Sequence, residues 1–389
     1  MKVFSFEKQI SIYAILGFIC FISIYPLDGI KVLTDKFIYL PPFGFIGLVL
    51  SLFLIVPFFS IKRVFFVNIW IVIFYSLVLG LIVLTLSSQY FEWLDLWTYF
   101  KLFITAPIIG CFTAIYLKSK KVTNNLLYII LLLLLILSFA VLYFYFNRNL
   151  FLDINYLSSS ESILLTSIFL IVYLPSTKNK LIITVITLGL LFMSDSRFVF
   201  FSFLLISFIY FSLSSIQIMF KLFFLLLVLF FFIIVYEPGL LLESRFARLL
   251  LHSSSDTSLG ARSELSSEGF FITEFYSISG KYAYYRDNCN GCYAHNFLSL
   301  WFEFGVIGIC FIIFLLSSFF AGIITSFKII LSKCLNSKFE MIYFLLTIHV
   351  LMGFVLSKHW SFFTLFFVLG MTFNLLNKKG FSLSKTYKY

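Results

Sequence analysis

Two arginines and one histidine are the residues of this chain whose types and positions most clearly indicate chemistry. Arg197 follows Ser194-Asp195-Ser196 between two apolar segments, and Arg262 follows Gly260-Ala261 in a long hydrophilic segment. A guanidinium group stays charged at any accessible pH and binds phosphate through two parallel hydrogen bonds. His295 stands at the start of an apolar segment, where a neutral imidazole could take a proton from a hydroxyl group. Together they predict an anion site beside a proton acceptor.

Each of these residues also has a structural interpretation. Arg197 could contact lipid headgroups from a turn, Arg262 could be a solvated loop charge, and His295 could cap a helix. The number of arginines in the hydrophilic segment favours the functional interpretation, because outer loops of membrane proteins are normally poor in arginine. The hydrophilic segment nevertheless holds four arginines and a lysine: Arg245, Arg248, Arg262, Lys281 and Arg286. A basic surface of this kind requires an anionic partner.

Other polar residues near the same predicted face are assigned supporting roles. Asn296 follows His295, and we expect it to contact substrate together with Lys101, Arg245 and Arg248. Glu303 lies further along the same predicted helix, where a carboxylate is costly and normally faces a polar cavity or pairs with a cation. We expect a structural or supporting role for Glu303, with Lys101 either as its partner or as another phosphate contact.

Cofactor chemistry has little support in the sequence. Cys289-Asn290-Gly291-Cys292 forms a CxxC pair, but a metal site would need a second ligand pair. A local disulfide is the alternative if this segment lies on an oxidising side of a membrane. Walker A, Rossmann glycine and HExxH motifs are all missing from the sequence. We therefore expect neither a metal nor a cofactor.

The elements that must position these residues are transmembrane helices. The chain is 61% hydrophobic and only 12% charged, whereas a soluble domain has about 25% charged residues. The net charge of +11 does not indicate nucleic-acid binding, because the basic residues form short clusters between apolar segments. Apolar segments of spanning character predict about twelve transmembrane helices, at 9–25, 43–60, 64–87, 98–117, 126–146, 162–174, 181–193, 198–216, 222–236, 296–320, 340–356 and 361–377.

The distribution of basic residues predicts the orientation. With the amino terminus inside, most lysines fall on inner segments and most acidic residues on outer ones, as the positive-inside rule requires. Twelve spans then place both termini in the cytoplasm. The chain divides into a membrane domain of nine spans at 1–236, a hydrophilic outer loop at 237–294, and a membrane domain of three spans at 295–389.

Three short stretches together resemble the bacterial O-antigen polymerases and O-antigen ligases. They are Ser194-Asp195-Ser196-Arg197, then Gly260-Ala261-Arg262, then Tyr293-Ala294-His295-Asn296-Phe297-Leu298 continuing to Glu303-Phe304-Gly305-Val306-Ile307-Gly308. The likeness covers about residues 190–310. It implies an all-α integral membrane protein with one large periplasmic loop, multi-pass in the bacterial inner membrane. Its activity would be that of a glycosyltransferase in lipopolysaccharide biosynthesis.

The resemblance also implies substrates and roles. The donor would be a glycan on undecaprenyl pyrophosphate, with Arg197 and Arg262 contacting the pyrophosphate and His295 acting as base. An O-antigen polymerase joins such oligosaccharide repeats and could work with a chain-length regulator protein. An O-antigen ligase instead transfers the glycan to lipid A-core and is the alternative. A polysaccharide flippase or transporter is the alternative from another class.

Overall fold

The architecture is known from a computed structural model of the chain. It describes residues 2–34, 41–60, 69–119, 123–146, 156–194, 196–236, 265, 267–271, 273–274, 276–283, 296–332, 337–356 and 358–377. Within this part of the chain the regular structure is helical, and no strand is present. The all-α prediction is confirmed for these residues.

The structure gives the bounds of fourteen α-helices in the described part of the chain. They are α1 (Lys2–Ile22), α2 (Asp28–Thr34), α3 (Phe43–Ser60), α4 (Ile69–Leu86), α5 (Trp93–Tyr99), α6 (Ala106–Ser119), α7 (Asn124–Phe146), α8 (Tyr156–Tyr173), α9 (Thr177–Met193), α10 (Arg197–Ser214), α11 (Ile216–Tyr236), α12 (Leu298–Ser332), α13 (Lys338–Leu356) and α14 (Phe363–Leu376). π-helical turns at Ser23–Leu27 and Phe100–Thr105 join α1 to α2 and α5 to α6.

Seven helical segments of the described residues are long and apolar enough to cross a membrane. They are Ser11–Lys31, Ile69–Leu86, Trp93–Lys118, Asn124–Tyr143, Arg197–Ser214, Leu298–Ser332 and Lys338–Leu356. The chain is therefore a multi-pass membrane protein by length and composition. Each of the twelve predicted spans overlaps a helix, but the full count of twelve crossings and the orientation stay predictions.

The helices group into two compact units. Unit 1 contains residues 1–21, 46–121 and 260–389, and unit 2 contains residues 22–45 and 122–259. Unit 1 thus brings the last three predicted spans together with spans from the amino-terminal part of the chain. Unit 2 is formed mainly by α7 to α11.

Aromatic side chains fill the core of unit 1. Phe103 stacks on Trp360 with ring centroids 5.9 Å apart and meets Phe366 edge-on at 5.0 Å. Phe74 and Phe311 stack at 6.0 Å, and all five rings are buried. Aromatic pairs at these separations add to the stabilisation that burial alone provides. The cluster joins α4, the Phe100–Thr105 turn, α12 and α14.

Helices α6 and α14 approach closely through two glycines. A Cβ on Gly110 would lie 1.9 Å from the carbonyl oxygen of Phe367, and one on Gly370 would lie 1.9 Å from that of Pro107. Small residues allow such backbone contact between helices, which is a common source of association inside a bilayer. The contact fixes α14 and, with it, the turn that precedes it.

Unit 2 packs through small and hydroxyl-bearing residues. Ser167 of α8 and Thr187 of α9 share a buried hydrogen bond of 2.8 Å. A carboxylate oxygen of Asp28 accepts the backbone N–H of Gly44 at 2.9 Å, which ties the start of α2 to the start of α3. The Ser167–Thr187 bond joins α8 to α9, the helix that precedes Arg197 in the sequence.

Helix α12 is broken at Gly305. This residue has φ 55° and ψ −132°, so the short segment Leu298–Phe304 and the longer helix after it are not continuous. The groups freed by the break are satisfied by 276–283: Val306 N–H donates to the Ile278 carbonyl at 3.2 Å, and Lys281 N–H donates to the Phe302 carbonyl at 2.9 Å. Irregular backbone inside a membrane protein requires such partners.

We expect Gly305→Ala to destabilise unit 1. A residue with a side chain in this backbone region costs about 1–3 kcal/mol, and the added Cβ would also lie 2.3 Å from the Ile278 carbonyl oxygen. The measurement is the thermal unfolding midpoint of the detergent-purified protein. Gly189→Ala is the control, because no atom lies within 4 Å of its new Cβ; an equal midpoint for both variants would contradict the prediction.

Candidate functional site

The structure describes some of the predicted site residues and not others. Arg197 lies in unit 2, and Lys101 and Asn296 lie in unit 1. The other predicted contacts lie outside the described residues: Arg245, Arg248, Arg262 and His295, with the cysteine pair Cys289 and Cys292. The predicted roles of this second group therefore stay predictions.

Arg197 is the first residue of α10, directly after a buried serine. Ser196 occupies the N-cap position but forms no side-chain capping bond, and its Oγ is buried without a partner among the described residues. A serine at this position normally accepts a hydrogen bond from the first turn. The start of α10 therefore combines a guanidinium group, backbone N–H groups and a buried hydroxyl that no described residue engages.

Two further hydroxyl groups of unit 2 lie together at the end of α9, and one of them belongs to α8. Ser160 of α8 donates to Ser194 Oγ at 2.9 Å, and Ser194 donates to the Leu191 carbonyl at 2.9 Å. Helix N-termini favour anions because their N–H groups and dipole point toward the ligand. The chemistry available at the start of α10 is therefore recognition of an anion such as phosphate.

Lys101 lies in a π-helical turn. Its carbonyl oxygen accepts the Thr105 hydroxyl at 2.6 Å, and its side chain is half-buried. Among the described residues no ion pair joins Lys101 to Glu303, so the predicted partnership between them is not observed. π-Helical turns within α-helices occur frequently at functional sites, and the role of Lys101 as a phosphate contact stays a prediction.

Asn296 performs a local structural task. Its Oδ1 accepts the backbone N–H of Leu298 at 3.0 Å, and its carbonyl oxygen accepts the Ser299 hydroxyl at 2.8 Å. These bonds cap the start of α12, which is a usual role for asparagine. The capping bonds also set the direction of the segment that carries Glu303.

The partners of Glu303 come from the turn between α13 and α14, and sequence reasoning missed them. His359 Nε2 lies 3.1 Å from one carboxylate oxygen, and Trp360 Nε1–H donates to the other at 2.8 Å. His359 Nδ1 lies 2.7 Å from Ser361 Oγ. The sequence contained one usable signal: a buried carboxylate needs donors, and the turn after α13 offers two adjacent ones.

Aromatic residues enclose this cluster. Tyr99 shares a hydrogen bond with Thr85 at the end of α4, and its ring centroid lies 6.0 Å from that of Trp360. Tyr282 packs on Phe304 at 5.5 Å. The connection after α4, the segment 276–283 and the turn before α14 therefore meet at one end of unit 1. The sequence predicts all three on the outer side of the membrane.

Lys281 lies over two tyrosine rings at the same end of unit 1. Its Nζ is 5.8 Å from the ring centroid of Tyr90 and 5.6 Å from that of Tyr276. A cation above an aromatic face gains about 0.5–1 kcal/mol when exposed. These contacts connect the segment after α4 to the segment 276–283.

No protein-family profile matches this chain, and no curated protein matches it either.

Proposed function

We propose that this protein is an O-antigen polymerase that joins undecaprenyl-pyrophosphate-linked oligosaccharide repeats at the periplasmic face of the inner membrane. The observation that carries the proposal is the start of α10, where Arg197 follows the buried Ser196 hydroxyl, which has no partner among the described residues. Arg197 also ends the first stretch of the family resemblance. A multi-pass helical chain gives a lipid-linked donor access to its site from the bilayer.

The reaction needs two kinds of assistance. A hydroxyl of the acceptor sugar forms a bond to the anomeric carbon of the donor glycan, while the bond from that carbon to the pyrophosphate oxygen breaks and its electron pair leaves with the pyrophosphate. Arg197 and Arg262 stabilise the charge that develops on the leaving group. His295 accepts the proton of the acceptor hydroxyl, and such assistance is worth about 10²–10⁴-fold.

The break in α12 supports the same proposal. It lies within Glu303–Gly308, which belongs to the third stretch of the resemblance, and it is held by the segment 276–283. A simple transmembrane span needs neither a break in its helix nor a buried carboxylate with two hydrogen-bond partners, and this stretch has both. Its position at the end of the long hydrophilic loop fits a site at a membrane surface.

Deletion of the gene followed by a lipopolysaccharide gel tests the proposal. For a polymerase we expect a single repeat on the core in place of the ladder, with the ladder restored by the intact gene. Bare core with accumulated lipid-linked polymer would identify the ligase alternative. An unchanged ladder would contradict both assignments.

A further inference from the structure

Glu303, His359 and Ser361 form a continuous chain of hydrogen bonds in unit 1. The Glu303 carboxylate lies 3.1 Å from His359 Nε2, and His359 Nδ1 lies 2.7 Å from Ser361 Oγ. The order carboxylate, imidazole and hydroxyl is the one that enzymes use to take a proton from a hydroxyl group. None of the three residues has a role in the reaction as proposed above.

The bonds to His359 determine which ring nitrogen carries the proton. The backbone N–H of Ser361 points at Nδ1 at 3.4 Å, so Nδ1 presents a lone pair. When the ring carries a single proton, that proton therefore resides on Nε2 and is donated to the Glu303 carboxylate. The Ser361 hydroxyl then donates to Nδ1, and the basic nitrogen of the ring faces Ser361.

Trp360 holds the buried end of this series of hydrogen bonds. Its Nε1–H donates to the second Glu303 oxygen at 2.8 Å, and its ring is buried in the aromatic core. The Glu303 side chain is 9% exposed and the His359 side chain 19% exposed, while Ser361 is half-buried. The hydrogen bonds therefore run from a buried carboxylate to the hydroxyl of a half-buried serine.

We propose that Ser361, His359 and Glu303 form a proton relay that deprotonates a sugar hydroxyl; this rests on the proposed function. The ligand hydroxyl gives its proton to Ser361 Oγ as Ser361 passes its own proton to His359 Nδ1. The oxygen so freed forms the bond to the anomeric carbon, and the pyrophosphate leaves with the electron pair. Glu303 stabilises the imidazolium ion that results, and the ring returns its proton to water or to the released pyrophosphate.

The relay assigns each residue a distinct task. Ser361 touches the ligand and is the catalytic residue of the three. His359 stores the proton, and Glu303 is a positioning residue that fixes the ring tautomer and offsets the positive charge. The relay takes the proton that the family resemblance assigns to His295, so the two histidines are alternative bases for one hydroxyl and their variants make separable predictions.

Substitution of Ser361 tests the relay in membrane vesicles. The vesicles come from a deletion strain that accumulates its own lipid-linked repeat and carry each variant at equal abundance. We expect Ser361→Ala to lower kcat by about 10²-fold, the lower end for acid–base assistance, with KM and the thermal midpoint unchanged. Ser361→Thr keeps the hydroxyl and should retain most of the rate.

Two further variants separate the relay from a structural role. His359→Gln can still donate to Glu303 but cannot take up a proton, so its kcat should fall as in Ser361→Ala. Ser317→Ala removes a hydroxyl that bonds to the Phe314 carbonyl of its own helix, and its rate should equal that of the wild type. A wild-type rate in Ser361→Ala or in His359→Gln would overturn the relay.

The same vesicles separate failure of the relay from failure of the proposed function. If the wild-type protein does not extend the repeat, the proposed function is wrong and the relay with it. If the wild type extends the repeat, Arg197→Ala does not, and Ser361→Ala retains the full rate, only the relay is overturned. A fall in Ser361→Ala with an equal fall in Ser361→Thr and a lower thermal midpoint would also overturn it.

Discussion

Arg197→Ala is expected to abolish polymer formation while leaving the amount of protein in the membrane unchanged. The variant removes the fixed positive charge at the start of α10, where it follows the buried Ser196. Loss of one preorganised group that stabilises developing charge costs about 10²–10³-fold in kcat. The measurement is the lipopolysaccharide ladder together with the initial rate of chain extension in vesicles.

Two control variants show whether the effect belongs to the guanidinium group. Arg197→Lys keeps the charge but loses the paired hydrogen bonds, so we expect an intermediate rate. Lys178→Ala removes an exposed cation from α9 of the same unit and should leave the rate unchanged. A full ladder in Arg197→Ala would contradict the proposed anion site at the start of α10. His295→Ala, predicted from the sequence alone to abolish the ladder, decides between the two bases: a lost ladder favours His295, and a full ladder favours the relay.

Glu303→Ala is expected to lower both stability and activity. The carboxylate is buried and accepts hydrogen bonds from Trp360 and His359. A buried donor left without an acceptor costs about 1–3 kcal/mol. Water can reach His359 in part, so we expect a total loss of about 2–4 kcal/mol in the free energy of unfolding. The measurement is the thermal midpoint of the purified protein in detergent.

The matched variant Glu303→Gln separates hydrogen bonding from charge. Glutamine keeps one oxygen acceptor, so the Trp360 bond can persist and the midpoint should fall less than in Glu303→Ala. The charge that would stabilise a protonated His359 is lost in both variants, so both should be slow in chain extension. A midpoint of Glu303→Ala equal to the wild type would show that the cluster does not support the turn before α14.

The positions of the helices followed from hydropathy, because burial in lipid requires apolar residues over a whole span. The two shortest predicted spans, 162–174 and 181–193, correspond to the longer helices Tyr156–Tyr173 and Thr177–Met193. Their first two turns contain serine, glutamate, lysine and asparagine, which are too polar to be included in a span defined by hydropathy. Polar residues can join an apolar helix when neighbouring helices supply partners, as Ser160 and Ser194 do.

Two features could not be predicted because they depend on tertiary partners. The break at Gly305 needs the carbonyl oxygen of Ile278, which belongs to a segment that hydropathy marks only as polar. The π-helical turn Ser23–Leu27 continues the helix past residue 25, where the first span was predicted to end, and leads into α2, whose Gly29 packs against Ser162 of α8. Local sequence indicated neither the direction of the chain at Gly305 nor the partner that holds it.

For Glu303 the need for polar partners was predicted from the sequence, but the partners themselves were not. A carboxylate inside a membrane helix needs polar partners, and the structure confirms this for Glu303. Lys101 was considered either as the partner of Glu303 or as a phosphate contact, whereas the structure provides His359 and Trp360, which are more than fifty residues away along the chain. The sequence did not indicate His359 as a partner, because spacing along the sequence contains no information on contacts between distant spans.

Extension of lipid-linked repeats by the purified protein tests the central claim most directly. The protein would be reconstituted in phospholipid vesicles with the repeat on undecaprenyl pyrophosphate and without nucleotide sugar or lipid A-core. We predict lipid-linked chains of two or more repeats, with one undecaprenyl pyrophosphate released for each repeat added. Repeats that stay single in the presence of well-folded protein would contradict the assignment as a polymerase.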